Sequence, residues 1–531
     1  MKTRGQSLLR LVVLPLFLGI GLLAVSAVPA YAASTPVPYL FQSLSPDHGV
    51  PGSTSPLALT LYGTGFVAGT STISFVVPGS TTCTGALKNV NVVSSREMTA
   101  TVPVVCLATA ATAWVSVKNG NLFSNVVFFP ISNPTAIAFS PSKQGPIPVP
   151  DEPLAVVTAD FNKDGKLDLA VASAMPAIGT SGGSVTVLLG NGDGTFQTPV
   201  SYPTGIPYQL AVGDFNGDGN LDIAGANEAT VPGSDSTIFL LLGQGNGQFT
   251  QAAPIAAGGT DPFSIVAGDF NCDGKLDLAT ANNLQTAGEG VTLLPGNGDG
   301  TFQPPISLNE CTRAARGAIC LNPVSAVAGD FDNDGILDLA VLEWSQGSPQ
   351  VAMLRGSCSS GLTPNTVFAS GLPTDMMQFA LGNFSGHSDG TLDMAFIGNG
   401  TPSGSAGILI GQGTLTRKGA FSGFKPPTAQ CPSCTTSAFP NGLAVGDFNA
   451  DNFLDVAVAT GNFPAGSQPG TGVITTLAGA GNGTFNLQST TGRYSGSMSD
   501  GIAVGDFNND GKLDLAVTNY SSNTVTILLH Q

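Results

Sequence analysis

The sequence predicts an all-β chain, a seven-bladed β-propeller preceded by a small β-sandwich, on the strength of three observations. An acidic segment of nine residues recurs through the chain, and each copy sits between two apolar runs of strand length. The third is composition: 69 glycines and 37 prolines in 531 residues, with only 10% charged residues, describe turn-rich β structure, neither a charged disordered chain nor a helical one.

The chain opens with Lys2, Arg4 and Arg10, an apolar run from Leu11 to Val28, and the small-x-small triplet Ala30-Tyr31-Ala32. That order makes residues 1–32 a removable signal peptide cut after Ala32. The alternative is a retained anchor, because about 20 apolar residues span a bilayer. No Cys stands at the cleavage point, which argues against a lipoprotein. A secreted or extracellular protein is expected, in the periplasm or at the cell surface as variants of that, with no membrane span after cleavage. Cleavage takes three positive charges from a net −17 and leaves −20, which argues against nucleic acid as a partner.

Eight cysteines, an even number in a chain marked for an oxidising compartment, point to disulfides. Cys83 with Cys106 and Cys311 with Cys320 are the local pairs; Cys272 and Cys358 are left unassigned. Cys431-Pro-Ser-Cys434 could be a redox or zinc motif, but no second such pair and no nearby His completes a metal site, so a structural loop is favoured.

Residues 33–133 form the sandwich, with strand-like stretches at Leu57 to Val67, Ser94 to Val105 and Ala113 to Val117 between Gly-rich turns. Residues 134–531 carry the repeat. Its copies are DFNKDGKLD from Asp160, DFNGDGNLD from Asp214, DFNCDGKLD from Asp269, DFDNDGILD from Asp330, NFSGHSDGTLD from Asn383, DFNADNFLD from Asp447 and DFNNDGKLD from Asp506. After each copy come a second apolar run, a third ending in a Gly-rich turn and an aromatic, as in Val185 to Phe196, and a weaker fourth. Four short strands per repeat describe a propeller blade. The last copy has three strands, and the strand-like stretch Thr135 to Val149 is expected to supply its outer strand and close the ring.

Within each copy, positions one, three, five and nine carry side-chain oxygens, position seven offers a backbone carbonyl, and Gly at position six permits a sharp turn. In the six complete copies these ligands are Asp160, Asn162, Asp164, Lys166 and Asp168; Asp214, Asn216, Asp218, Asn220 and Asp222; Asp269, Asn271, Asp273, Lys275 and Asp277; Asp330, Asp332, Asp334, Ile336 and Asp338; Asp447, Asn449, Asp451, Phe453 and Asp455; and Asp506, Asn508, Asp510, Lys512 and Asp514. An all-oxygen set suits Ca²⁺ rather than Zn²⁺. Ordinary turns also favour Asp, Asn and Gly, but need only one or two of them, and three carboxylates in nine positions repel unless a cation cancels the charge. These positions hold 19 of the 35 acidic residues, and six Ca²⁺ ions would bring −20 to −8. The fifth copy, with Asn383 first, Ser385 third, two extra residues and only Asp389 and Asp393 as carboxylates, is expected to be empty or weak. The sixth has Asn452 in place of Gly, a residue that tolerates the left-handed backbone.

The repeated DFNxDGxLD, its following strand and the GNGDGTF turn resemble the FG-GAP/VCBS repeats of bacterial secreted proteins and of the integrin alpha-subunit propeller. The resemblance covers Pro134 to Gln531 and implies a seven-bladed propeller with Ca²⁺ in the loops between first and second strands. The order of strands in residues 36–133 resembles the IPT/TIG immunoglobulin-like domains, which implies a spacer or binding module.

No catalytic centre is legible. His48, His387 and His530 are far apart in sequence and lie in turns or at the terminus, and no helix follows the glycines at 190, 192 and 194 to make a nucleotide loop. A monomeric, non-enzymatic binding or adhesion protein for an extracellular protein or glycan is the leading expectation. A carbohydrate-active protein, lectin or polysaccharide lyase-like, is the alternative, with Tyr208, Trp344 and Tyr520 as sugar-stacking or blade-packing residues.

Overall fold

Two-residue periodicity governs the N-terminal unit. Ser71–Val76 and Glu97–Val102 alternate buried and more open positions, as strands with one face on a core do. One sheet runs Tyr39–Leu40, Leu57–Thr64, Glu97–Val102, Lys88–Ser94. The other runs Thr84–Ala86, Ser71–Val76, Ala111–Asn119, Leu122–Phe123, with Val127–Ile131 also paired to Ala111–Asn119. Leu59, Leu61, Ile73, Phe75, Met98 and Phe129 share one core, and the expected Cys83–Cys106 disulfide lies within it.

This structure, a computed structural model, describes residues 34–42, 44–150, 152–174, 182–227, 236–282, 290–308, 322–345, 348–369, 376–387, 390–398, 407–411, 424–430, 438–462, 472–494 and 501–531. The signal segment, Cys311, Cys320, Cys431, Cys434 and Asp389 lie outside these residues, as does the side chain of Trp344.

Seven antiparallel sheets follow one another among the described residues, at 153–203, 207–256, 262–308, 322–369, 376–430, 438–494 and 502–530. Numbered here as blades one to seven, each is a meander bonded in sequence order. Their first strands touch in succession, from Pro153–Ala159 to Pro207–Gly213 and onward to Ile502–Gly505, which returns to Pro153–Ala159. The sheets therefore close into a propeller. Blade seven takes its outer strands from before blade one: Phe139–Pro141 and Ile147–Pro148 both pair with Thr524–His530, as the orphan stretch in the sequence suggests.

The second strands are buried at every residue in Asp168–Ser173, Asp222–Asn227, Asp277–Asn282 and Asp514–Asn519. Covered on both faces by neighbouring blades, they read in sequence as continuous apolar runs rather than alternating ones. A representative seam joins Ala170, Ala172 and Val185 of blade one to Leu210, Ile223 and Phe239 of blade two.

Candidate cation-binding loops

Each acidic segment forms the turn between the first and second strands of its blade, so the seven copies lie around one rim. Position two anchors the turn: Phe161, Phe215, Phe270, Phe331, Phe448 and Phe507 are all buried. The chain then coils back on itself through left-handed backbone at positions four and six. Position six is Gly, or Asn452 with φ of 70°, and position four is Lys163, Gly217, Cys272, Asn333, Ala450 or Asn509.

This coiling aims backbone N–H groups at the carboxylates. Asp160 Oδ1 and Oδ2 accept from the N–H groups of Asp164 and Gly165 at 3.2 and 3.0 Å, and the same pair of bonds recurs at Asp214, Asp269, Asp330, Asp447 and Asp506. Asn162, Asn216, Asn271, Asp332 and Asn508 each accept the N–H of position five. Asp164, Asp218, Asp273, Asp334, Asp451 and Asp510 accept the N–H of position seven, which is Lys166, Asn220, Lys275, Ile336, Phe453 and Lys512 respectively. Positions one, three and five are thus drawn into one turn.

Position nine makes contacts that the sequence does not reveal. Asp222 Oδ2 accepts from the N–H of Phe215 at 2.9 Å and Oδ1 from the N–H of Gly243, at the end of the third strand, at 2.8 Å. Asp168, Asp277, Asp338, Asp455 and Asp514 repeat this arrangement with Gly190, Gly296, Gly356, Gly479 and His530. All six carboxylates are fully buried. Burial above all, with added repulsion from positions one and five, pushes the carboxyls of Asp168 and Asp222 up to about 7 against the backbone N–H bonds; burial, with repulsion from Asp332 and Asp330, pushes that of Asp338 up to about 8. Asp269, Asp330 and Asp506 rise to about 6, again mainly through burial.

The fifth loop is built differently. Asn383 bonds both its amide atoms to the backbone of His387, and the N–H of Ser385 donates to Asp393 Oδ2. His387 Nε2 stands 3.9 Å from Asp393 Oδ1.

The N-terminal unit lies over much of this rim, an arrangement without any signal in the sequence. Phe41 and Tyr62 pack into the cluster of Phe331, Leu337 and Leu392. The N–H of Val37 donates to Asp269 Oδ2 at 2.8 Å, Arg96 pairs with Asp330 and Asn333, and His48 approaches Asp447. Gly390 and Gly511 leave no room for a Cβ beside Tyr62 and the backbone of Ala111, whereas Gly165 and Gly219 face open space. Loops three to seven are therefore covered and loops one and two are open. Arg355 adds a second guanidinium to the fourth loop, 2.5 Å from Asp332. Sequence reading also missed the Cys272–Cys358 disulfide, which ties the third loop to blade four; its members stand 86 residues apart.

Residues 174–225 and 227–280 match the FG-GAP-like repeat, and residues 153–188 and 500–528 match the FG-GAP repeat. No curated protein matches the chain. Among solved structures, a protein from Lactobacillus plantarum is 14% identical with a TM-score of 0.42, over 67% of this chain and 94% of that one. The Dos1 propeller is 10% identical with a TM-score of 0.41, over 73% and 95%. The intramolecular trans-sialidase from Ruminococcus gnavus is 10% identical with a TM-score of 0.34, over 72% and 94%. Among the described residues no helix is long and apolar enough to cross a membrane. The sheets between residues 139 and 530 close in a ring as a β-propeller, and within it stretches of blades one, two, three and seven match FG-GAP repeats.

Proposed function

We propose that this is a secreted calcium-binding protein that acts by binding or adhesion, without catalysis, and that its six complete loops are the calcium sites. One observation carries the calcium reading. Each loop gathers three or four carboxylates into a single turn, and at position nine burial makes ionisation costly, with backbone N–H groups rather than a cationic side chain set against that cost. A hard divalent ion offsets that cost, and the donors are all oxygen. The side chains at positions one, three and five and the carbonyl at position seven would hold the ion, and position nine would link it to the third strand. Calcium supplies charge neutralisation and stiffens the joint between strands. In the fifth loop Asn383 spends both amide atoms on the backbone, which favours a loop without calcium.

Metal content and thermal melting of the full chain test this. EDTA should lower the melting temperature by a large margin, Ca²⁺ should restore it, and Mg²⁺ should restore much less. A melting curve indifferent to EDTA would end the calcium reading.

Because the N-terminal unit covers most of the loop rim, the opposite rim is the favoured face for an extracellular protein or glycan. A carbohydrate-active role is the second reading, and one feature favours it. At the starts of their strands, away from the loops, Tyr208 stacks on Phe263 with ring centres 4.8 Å apart and planes at 11°, and Phe263 stays 36% exposed. Such a platform suits the face of a sugar ring, although it also joins blades two and three. Retention on a glycan array, lost in Phe263→Ala, would support a lectin; turnover of a polysaccharide would replace the non-enzymatic reading.

A further inference from the structure

The sixth loop departs from the others in a way that points to a second ion, of another kind, beside it. In the first four loops and the seventh, the position-three oxygen accepts the N–H of position five. In the sixth, Asn449 Oδ1 is buried and accepts nothing. Above this loop sit two consecutive residues of the N-terminal unit. His48 Nδ1 lies 3.3 Å from Asp447 Oδ2 and 3.6 Å from Asp47 Oδ1. His48 is only 7% exposed and Asp447 4%. His48 Nδ1 and Asp47 Oδ1 are both buried without a hydrogen bond, and they face one another and Asp447. Beside them is a cavity of about 30 Å³, bounded by Gln42, Leu44, Phe128 and Leu513. That is room for about one water molecule.

We propose that Asp47, His48 and Asp447 hold a divalent ion of the zinc class, across the interface between the N-terminal unit and blade six. Their ligand atoms lie within 4.8 Å of one another. A tetrahedral ion with ligands at about 2.0–2.2 Å has edges of about 3.3–3.6 Å, in line with the separations at His48 Nδ1. One imidazole nitrogen with two carboxylates is a donor set for zinc or a similar transition metal, whereas calcium takes oxygen alone. The fourth position is left to water, for which the cavity has space. Bound there, the ion joins two units that are otherwise held by packing and a few polar contacts. The site does not depend on calcium in the other five complete loops; it shares only Asp447 with the sixth.

The test uses the full chain, stripped with chelator, then exposed to Zn²⁺ in a large excess of Ca²⁺, desalted, and assayed for both metals. One zinc per chain should be retained in wild type and lost in His48→Ala and in Asp47→Ala, with bound calcium unchanged by His48→Ala. Cobalt in place of zinc should give the visible absorption of a four-coordinate ion in wild type. Wild-type protein that keeps no zinc under excess calcium would overturn the proposal, leaving an imidazole held between two carboxylates; so would equal zinc retention in His48→Ala. Loss of calcium binding with zinc retained would instead count against the calcium reading alone.

Discussion

Arg96 of the N-terminal unit donates from Nε to Asp330 Oδ2 in the fourth loop at 2.5 Å, and its other end bonds Asn333. The Asp330 side chain is fully buried and that of Arg96 is mostly so. With Arg355 on Asp332, this puts two guanidiniums beside the one loop that has four carboxylates. Removing one partner of a buried pair leaves an uncompensated charge, so Arg96→Ala should cost about 3–5 kcal/mol in the metal-free protein. Calcium at the same loop would take over the neutralisation, and the loss should shrink in saturating Ca²⁺. Arg96→Lys keeps the charge but not the fork and should fall between. Urea denaturation with and without Ca²⁺ measures this; an identical loss in both would mean that arginine and calcium do not share the task.

Asp222 separates ligand from staple. Its two oxygens take the N–H groups of Phe215 and Gly243, so Asp222→Asn must turn an amide NH₂ toward one of two backbone donors. A buried donor left unmet costs about 1–3 kcal/mol. Asp214→Asn, in the open second loop, also gives up one of two acceptors, but the N–H groups of Asp218 and Gly219 there are exposed and can turn to water, so it should cost less stability while removing one calcium. Denaturation and metal content, measured on both variants, should therefore rank them in opposite orders.

The spacing of the acidic segments makes the sheets and their ring legible in the sequence, because a repeat that cannot bury its own faces must stack on copies of itself. The orphan stretch before Asp160 likewise announced the closing strand. What the sequence hid was long-range. Nothing local to Arg96, Asp47 or His48 says that a loop 200 or more residues away lies beneath them, and His48 reads as one more turn residue. Cys272 and Cys358 are hidden for the same reason, since proximity in sequence favours other pairs. The stapling by position nine is also invisible, because a carboxylate suited to a metal and one suited to two N–H groups are the same letter.

Glycine at position six serves two ends, and they can be separated. Gly219 has φ of 81° with nothing within 4 Å of a Cβ, so Gly219→Ala should cost only the left-handed strain of about 1–2 kcal/mol. Gly511 has φ of 88°, and a Cβ there would stand 2.6 Å from Ala111 N and 2.8 Å from Ile131 O. Those atoms are backbone of the N-terminal unit and cannot rotate away. Gly511→Ala should lose about 1–3 kcal/mol beyond Gly219→Ala and should expose the segment at residues 132–138 to protease. Equal melting temperatures and equal digestion would mean that the unit does not rest on the seventh loop.

The pH dependence follows from the buried position-nine carboxyls. Asp168 and Asp222 ordinarily titrate at 3.8 and are raised to about 7 in the folded protein, chiefly by burial and then by repulsion from Asp160 and Asp164 or Asp214 and Asp218. Below 3.8 both states hold the proton and neither carboxyl penalises folding. As pH climbs toward 7 the unfolded chain sheds its protons while the fold retains them, so stability falls, and above 7 the whole penalty applies. Metal-free protein should therefore melt at a higher temperature at about pH 5 than at about pH 8. A bound cation favours the ionised carboxyls, so the gain in melting temperature on adding Ca²⁺ should grow over the same interval. A calcium effect that is flat across that interval would show that these carboxyls do not sense the ion.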